Sequence, residues 1–169
     1  MNDFKKNNKG ISLIELIIVL AILAILGSIG FLSTRLVTNR QVTACTQKIS
    51  SSLSATRNLC LGRNTAYLKL WNDGSYIRLQ VYADGNPYGN EIQVGNGALH
   101  CEVTYKQESS GVTYTNTLDS SGEIITFLRG TGGVKSSSTN YYPYIIEVSN
   151  GSRTSTIKID HITGRVTVE

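Results

Sequence analysis

Hydrophobic positions along the chain change their spacing twice. Residues 11–32 form a nearly unbroken apolar run, interrupted only by Ser12, Glu15, Gly27, Ser28 and Gly30. At 1.5 Å per residue, these 22 residues predict a helix roughly 33 Å long, matched to a bilayer's hydrocarbon core. Beyond them the run becomes a stripe. Val42, Cys45, Ile49, Leu53, Thr56 and Cys60 are separated by 3, 4, 4, 3 and 4 residues, one face of a helix, with Lys48, Ser51, Ser54 and Arg57 among the polar positions between. After Leu32 no glycine occurs before Gly62 and no proline before Pro87. The expectation is one helix from Ile11 to about Leu61, roughly 75 Å long, with Gly62 as its stop.

From Ala66 the period becomes two. Tyr67, Lys69 and Trp71 alternate with Leu68 and Leu70, Asn72-Asp73-Gly74 is a hairpin turn, and residues 76–82 return. Residues 83–90, with Asp84-Gly85-Asn86-Pro87, read as a loop. Leu99, Cys101, Val103 and Tyr105 mark the next strand's inner face. Residues 112–118 and 123–128 flank a turn at Asp119-Ser120-Ser121-Gly122, and residues 130–140 read as a mobile loop rich in Gly, Ser and Thr. Residues 144–149 and 152–160 flank Asn150-Gly151, the strongest short hairpin signal in the chain. Residues 164–168 close as a last strand. The fold class expected is α+β: a long N-terminal helix followed by seven or eight antiparallel strands.

The apolar run carries one carboxylate, Glu15, five residues in. Such a group costs about 2.5–3.5 kcal/mol on insertion scales and requires a compensating positive charge at the same depth. Cleavage of the Gly10–Ile11 bond would create one, a free α-amine at Ile11 that could meet Glu15 of a neighbouring subunit. Here the residues resemble a known family. Gly10-Ile11-Ser12-Leu13-Ile14-Glu15-Leu16 and the following apolar stretch look like the class III signal of type IV prepilins and type II secretion pseudopilins. The resemblance implies that a prepilin peptidase cuts after Gly10 and methylates Ile11. It implies that Glu15 serves assembly with other pilins, and that the globular domain lies outside the cytoplasmic membrane before incorporation into a filament. Ile11 stands where the family most often has Phe. Leu32 stands where many major pilins have a kinking proline, which points to a minor subunit.

The domain organisation expected is a leader at 1–10, a transmembrane or filament-core helix at 11–32, its amphipathic half at 33–64 and a β-rich domain at 65–169. A secretory signal peptide would have a shorter apolar run than this one and a small-residue cleavage site, for which Ala24-Ile25-Leu26-Gly27 is a poor match. A plain signal anchor accounts for Lys5, Lys6 and Lys9 through the positive-inside rule but for neither Gly10 nor Glu15. The second half resembles the GspH/FimT-type minor pseudopilins more narrowly. Arg57 and Arg63 near the helix end, the looser segment Ile125-Thr126-Phe127-Leu128-Arg129-Gly130, and Gly164-Arg165-Val166 carry that likeness. Some of those relatives bind DNA through basic residues near the C-terminus. Arg165 is the residue placed for it here, with Thr167 and Glu169 beside it.

Charge adds little to this. The formal net charge is +4, but the leader holds three lysines and one aspartate, and without it 13 basic and 11 acidic residues remain. That balance is weak support for a nucleic-acid partner. Three cysteines make no disulfide framework. Cys45 and Cys60, about 22 Å apart along one helix, cannot bond to each other. Cys60–Cys101 is the geometrically possible pair, and three buried thiols are the alternative. His100 and His161 sit near Glu102 and Asp160 without a nucleophile elbow or metal-ligand spacing, and Asp84-Gly85-Asn86 lacks the spaced carboxylates of a calcium loop. No catalytic residue, cofactor or metal is expected. The rival readings are a membrane-anchored binding domain outside any filament and a DNA-binding tip subunit of an uptake pilus.

Overall fold

A computed structural model describes residues 12–62, 65–137 and 139–169; within the helix, side-chain surroundings are described for 12–26 and 39–62. Helix α1 runs Leu13–Gly62, and the chain divides into two compact units, Met1–Val37 and Thr38–Glu169. In the first unit, the Leu16 amide donates to Ser12 O at 3.1 Å to open the helix. Apolar side chains from Leu13 to Leu26 are 50–78 % exposed. Among the described residues no helix is long and apolar enough to cross a membrane. The expected 11–32 span therefore extends past what is described, since residue 11 and the side chains of 27–32 lie outside the described residues.

In the second unit the stripe Val42, Cys45, Ile49, Leu53, Thr56 and Cys60 is wholly buried. Two threonines sit on this face at no polar cost, because Thr46 Oγ1 donates to Val42 O at 2.9 Å and Thr56 Oγ1 to Ser52 O at 2.7 Å. The stripe shares one core with two antiparallel sheets. The first sheet contains β1 (Ala66–Asn72), β2 (Tyr76–Ala83), β3 (Asn86–Asn96) and β6 (Glu123–Phe127), in the order β3-β2-β1-β6. The second contains β4 (His100–Gln107), β5 (Thr113–Thr117), β7 (Tyr141–Ser149), β8 (Thr154–Ile159) and β9 (Val166–Val168), in the order β5-β4-β7-β8-β9. Leu68, Leu70, Ile77, Leu79 and Ile125 point inward from one sheet, and Cys101, Val103, Ile146, Val148, Ile157 and Ile159 from the other. This is the alternation that a half-buried antiparallel sheet requires.

Three expectations are corrected. The described residues form nine strands rather than seven or eight, because Asn86–Asn96 is an additional strand. Residues 86–90 are not loop but the start of β3, and the connection shrinks to Asp84-Gly85, both with positive φ (53° and 79°). Pro87 is tolerated because β3 is an edge strand, where a missing amide need not break a ladder. Within the segment 130–140, the described residues around Val134 are pinned rather than loose. Val134 is fully buried and bridges Phe127, its amide donates to His161 O at 2.8 Å, and the Lys135 amide donates to Thr126 O at 2.8 Å.

Candidate functional site

Two places carry the sequence's chemical signals. The first is the N-terminal segment. Glu15 lies in the first turn of α1 and is exposed, where a carboxylate interacts favourably with the unpaired amides of a helix start. Gly10 and Ile11, the expected cleavage and methylation positions, lie outside the described residues.

The second place is a backbone knot under the C-terminal half of α1. Arg57 Nε donates to Thr163 O at 2.7 Å, reaching from the helix to the turn between β8 and β9. Gly132 and Gly164 press together beneath that guanidinium. A Cβ on Gly164 would lie 1.8 Å from Gly132 O, and one on Gly132 would lie 3.0 Å from Arg57 Nε. A Cβ on Gly133 would lie 2.5 Å from Ile162 O. Gly132 (φ 68°) and Gly164 (φ 64°) also occupy the left-handed region that side-chain-bearing residues avoid. Asp160 fixes the turn by accepting from the Thr163 amide and hydroxyl, both at 2.7 Å, and these bonds hold its carboxyl below the ordinary carboxylate range. The helix-end arginine, the segment after Phe127 and the Gly164-Arg165-Val166 turn, far apart in sequence, thus meet at one point. Nothing in the sequence announces this convergence, since glycines at 132 and 133 read as loop flexibility.

Arg165 lies in the same turn, its carbonyl accepting from the Asp160 amide at 2.9 Å. It is exposed and lines a hollow with Tyr144, Lys158 and Asp160; Lys158 is paired with Glu169 at 2.7 Å, and Lys106 lies 5.2 Å from the Tyr144 ring centre.

The cysteines are all buried free thiols, and Cys60 is not bonded to Cys101. Cys60 Sγ donates instead to Phe127 O at 3.1 Å. Burial pushes the Cys45 thiol up to about 11 against a smaller lowering by Lys48, and burial raises Cys101 further. His100 Nε2 contacts Glu102 Oε1 at 2.8 Å on an exposed strand face. His161 stacks on Tyr142 with ring centroids 3.9 Å apart and contacts Ser136 Oγ at 3.3 Å. Asp160 turns to Thr163, so these side chains do not assemble into a relay. Among the described residues no three His, Cys, Asp or Glu side chains are placed to hold a metal ion.

Residues 5–31 match the family described as the prokaryotic N-terminal methylation motif. This segment contains Gly10, Ile11 and Glu15. No curated protein and no solved structure matches the chain.

Proposed function

We propose that this chain is a minor pilin or pseudopilin, a structural subunit rather than a catalyst. It is cut after Gly10 by a prepilin peptidase, methylated at Ile11, held in the cytoplasmic membrane by residues 11–32 and built into a filament with other pilins. The observation that carries this reading is the methylation motif over residues 5–31, with Glu15 inside it. The bare apolar face from Leu13 to Leu26 supports it, since such side chains need lipid or neighbouring helices to cover them. The contact of Arg57 with Thr163 and Gly164 supports the narrower likeness to GspH/FimT-type minor subunits, because it brings two of the segments carrying that likeness together.

Processing tests the proposal. Mass spectrometry of the membrane-extracted protein should find a chain beginning at Ile11 and carrying one added methyl group. A bulky side chain at position 10 should block the cut. A chain that keeps Met1 in cells containing an active prepilin peptidase overturns the reading.

A second reading, a DNA-binding subunit, draws on Arg165, Lys158 and Lys106 around Tyr144. The pairing of Lys158 with Glu169 and the nearness of Asp160 make it the weaker of the two. A gel shift with duplex DNA at two salt concentrations decides it, because phosphate contacts lose affinity steeply as salt rises.

A further inference from the structure

The two sheets present four edges, and three are closed by distinct devices. Strand β3 carries Pro87 and two register breaks, its Gln93 carbonyl is taken by Lys48 Nζ at 3.1 Å, and Gln80 Nε2 reaches its Gly89 carbonyl at 3.3 Å. Strand β6 is covered by Val134 and Lys135. Strand β9 is only three residues long. These are the ways proteins blunt edges that would otherwise recruit strands.

Strand β5 has none of them. Thr113, Tyr114, Thr115, Asn116 and Thr117 are uncharged, contain no proline or glycine, pair with β4 without a register break and are all exposed. The ladder shows which backbone groups are open. The Leu118 amide donates to Cys101 O and the Gln107 amide to Val112 O, both at 2.8 Å, so every second residue between them bonds β4. Tyr114 and Asn116 face β4 with their backbone groups. Those of Thr113, Thr115 and Thr117 face outward, with no partner among the described residues.

These groups are symmetric about Thr115. We propose that β5 is the seam of a two-fold dimer of this chain, in which two copies pair antiparallel with Thr115 facing Thr115. In that register Thr113 and Thr117 of one copy exchange backbone hydrogen bonds with Thr117 and Thr113 of the other. Tyr114 lies opposite Asn116, and the exposed Val112 lies opposite Leu118. No charge faces a like charge, and threonine faces threonine along one side of the seam, a favoured cross-strand pairing. The interface is isologous, so it closes after two copies. It joins two five-stranded sheets into one and uses backbone groups that the fold leaves open.

The test exploits the fact that only this register places residue 115 against itself. The full chain, purified in mild detergent, is examined by sedimentation as wild type, Thr115→Lys, Thr115→Glu and an equal mixture of the two variants. Wild type should be in monomer–dimer equilibrium. Each single variant should dimerise roughly fivefold more weakly, because like charges then face each other, and the mixture should recover dimer through the Lys–Glu pair. Thr115→Pro supplies a second arm. It removes an amide that β4 does not use, so the circular dichroism spectrum should be retained while the dimer is lost. A wild-type chain that stays monomeric into the hundreds of micromolar overturns the proposal. So does a dimer indifferent to all three substitutions, or a mixture no better associated than its components.

Discussion

Gly164 shows how much one missing methyl group can hold. Its Cα sits where a Cβ would collide with Gly132 O at 1.8 Å, and the neighbour is backbone rather than a side chain that could swing away. Gly164→Ala must therefore separate the turn after β8 from the segment after β6, and it must strain a residue whose φ is +64°. We expect a loss of about 2–4 kcal/mol in urea denaturation, against about 1 kcal/mol for Gly151→Ala, where no atom lies within 4 Å and only the φ of +82° resists. Equal losses would show that backbone strain alone, not the contact with Gly132, sets the cost. The thiols make a second residue-scale prediction. Cys45 titrates near 9.0 when unfolded and about 11 when folded, so the folded state holds its proton more tightly. The stability this contributes is fully present below pH 9 and is lost as pH rises from about 9 to 11. Cys101 and Tyr105, both raised by burial, act in the same direction. Melting temperature should accordingly fall across that alkaline window, and Cys45→Ala should reduce the slope of the fall. A slope unchanged by that substitution would assign the alkaline loss to other groups.

Elements differ in how plainly their sequences announce them. The stripe from Val42 to Cys60 was legible because each of its positions falls on one 100°-periodic face, and each is buried. Leu53 lies at its centre with no exposure. Leu53→Ala should thus cost about 2–5 kcal/mol by transfer and cavity terms, while Ser51→Ala on the solvent side should cost almost nothing. Comparable losses at both positions in urea titrations would mean the stripe is not the packing face. The β-hairpins at Asn72-Asp73-Gly74 and Asn150-Gly151 were legible for a local reason. Asp73 Oδ1 accepts from the Ser75 and Tyr76 amides, and Asn150 Oδ1 accepts from the Ser152 and Arg153 amides, so the turn chemistry lies within four residues. Strand β3 was not legible in the sequence. Its first half carries Pro87, a strand breaker everywhere except at an edge, and sequence does not say which strand lies at the edge. Residues 91–96 show no alternation of buried and exposed positions. Segment 130–140 misled for a related reason. Its glycines look like flexibility, whereas Gly133 is small because the backbone of His161 and Ile162 packs against it. Such contacts join residues about 30 positions apart and leave no periodic trace.

At the scale of the whole molecule, the proposed function turns on one carboxylate in an apolar run. Glu15 adds nothing to the hydrophobic match between residues 11–32 and a bilayer; it opposes it. Within the proposed function its value must appear after cleavage, when the Ile11 amine of an adjoining subunit supplies the opposite charge at the same depth. In a low-dielectric setting such a pair interacts far more strongly than in water, whereas an unpaired carboxylate there is costly. Glu15→Val therefore separates two requirements that a simple anchor would merge. The variant should still be cut after Gly10, since Gly10 and the leader are untouched, and its membrane abundance should match or exceed wild type. Cross-linking to partner pilins should fall sharply. If the valine variant cross-links as well as wild type while its N-terminus is correctly processed, Glu15 is merely tolerated, and the apolar face from Leu13 to Leu26 alone drives assembly. If membrane abundance collapses together with cross-linking, the carboxylate acts at insertion rather than at recruitment, and charge pairing between subunits is not its role.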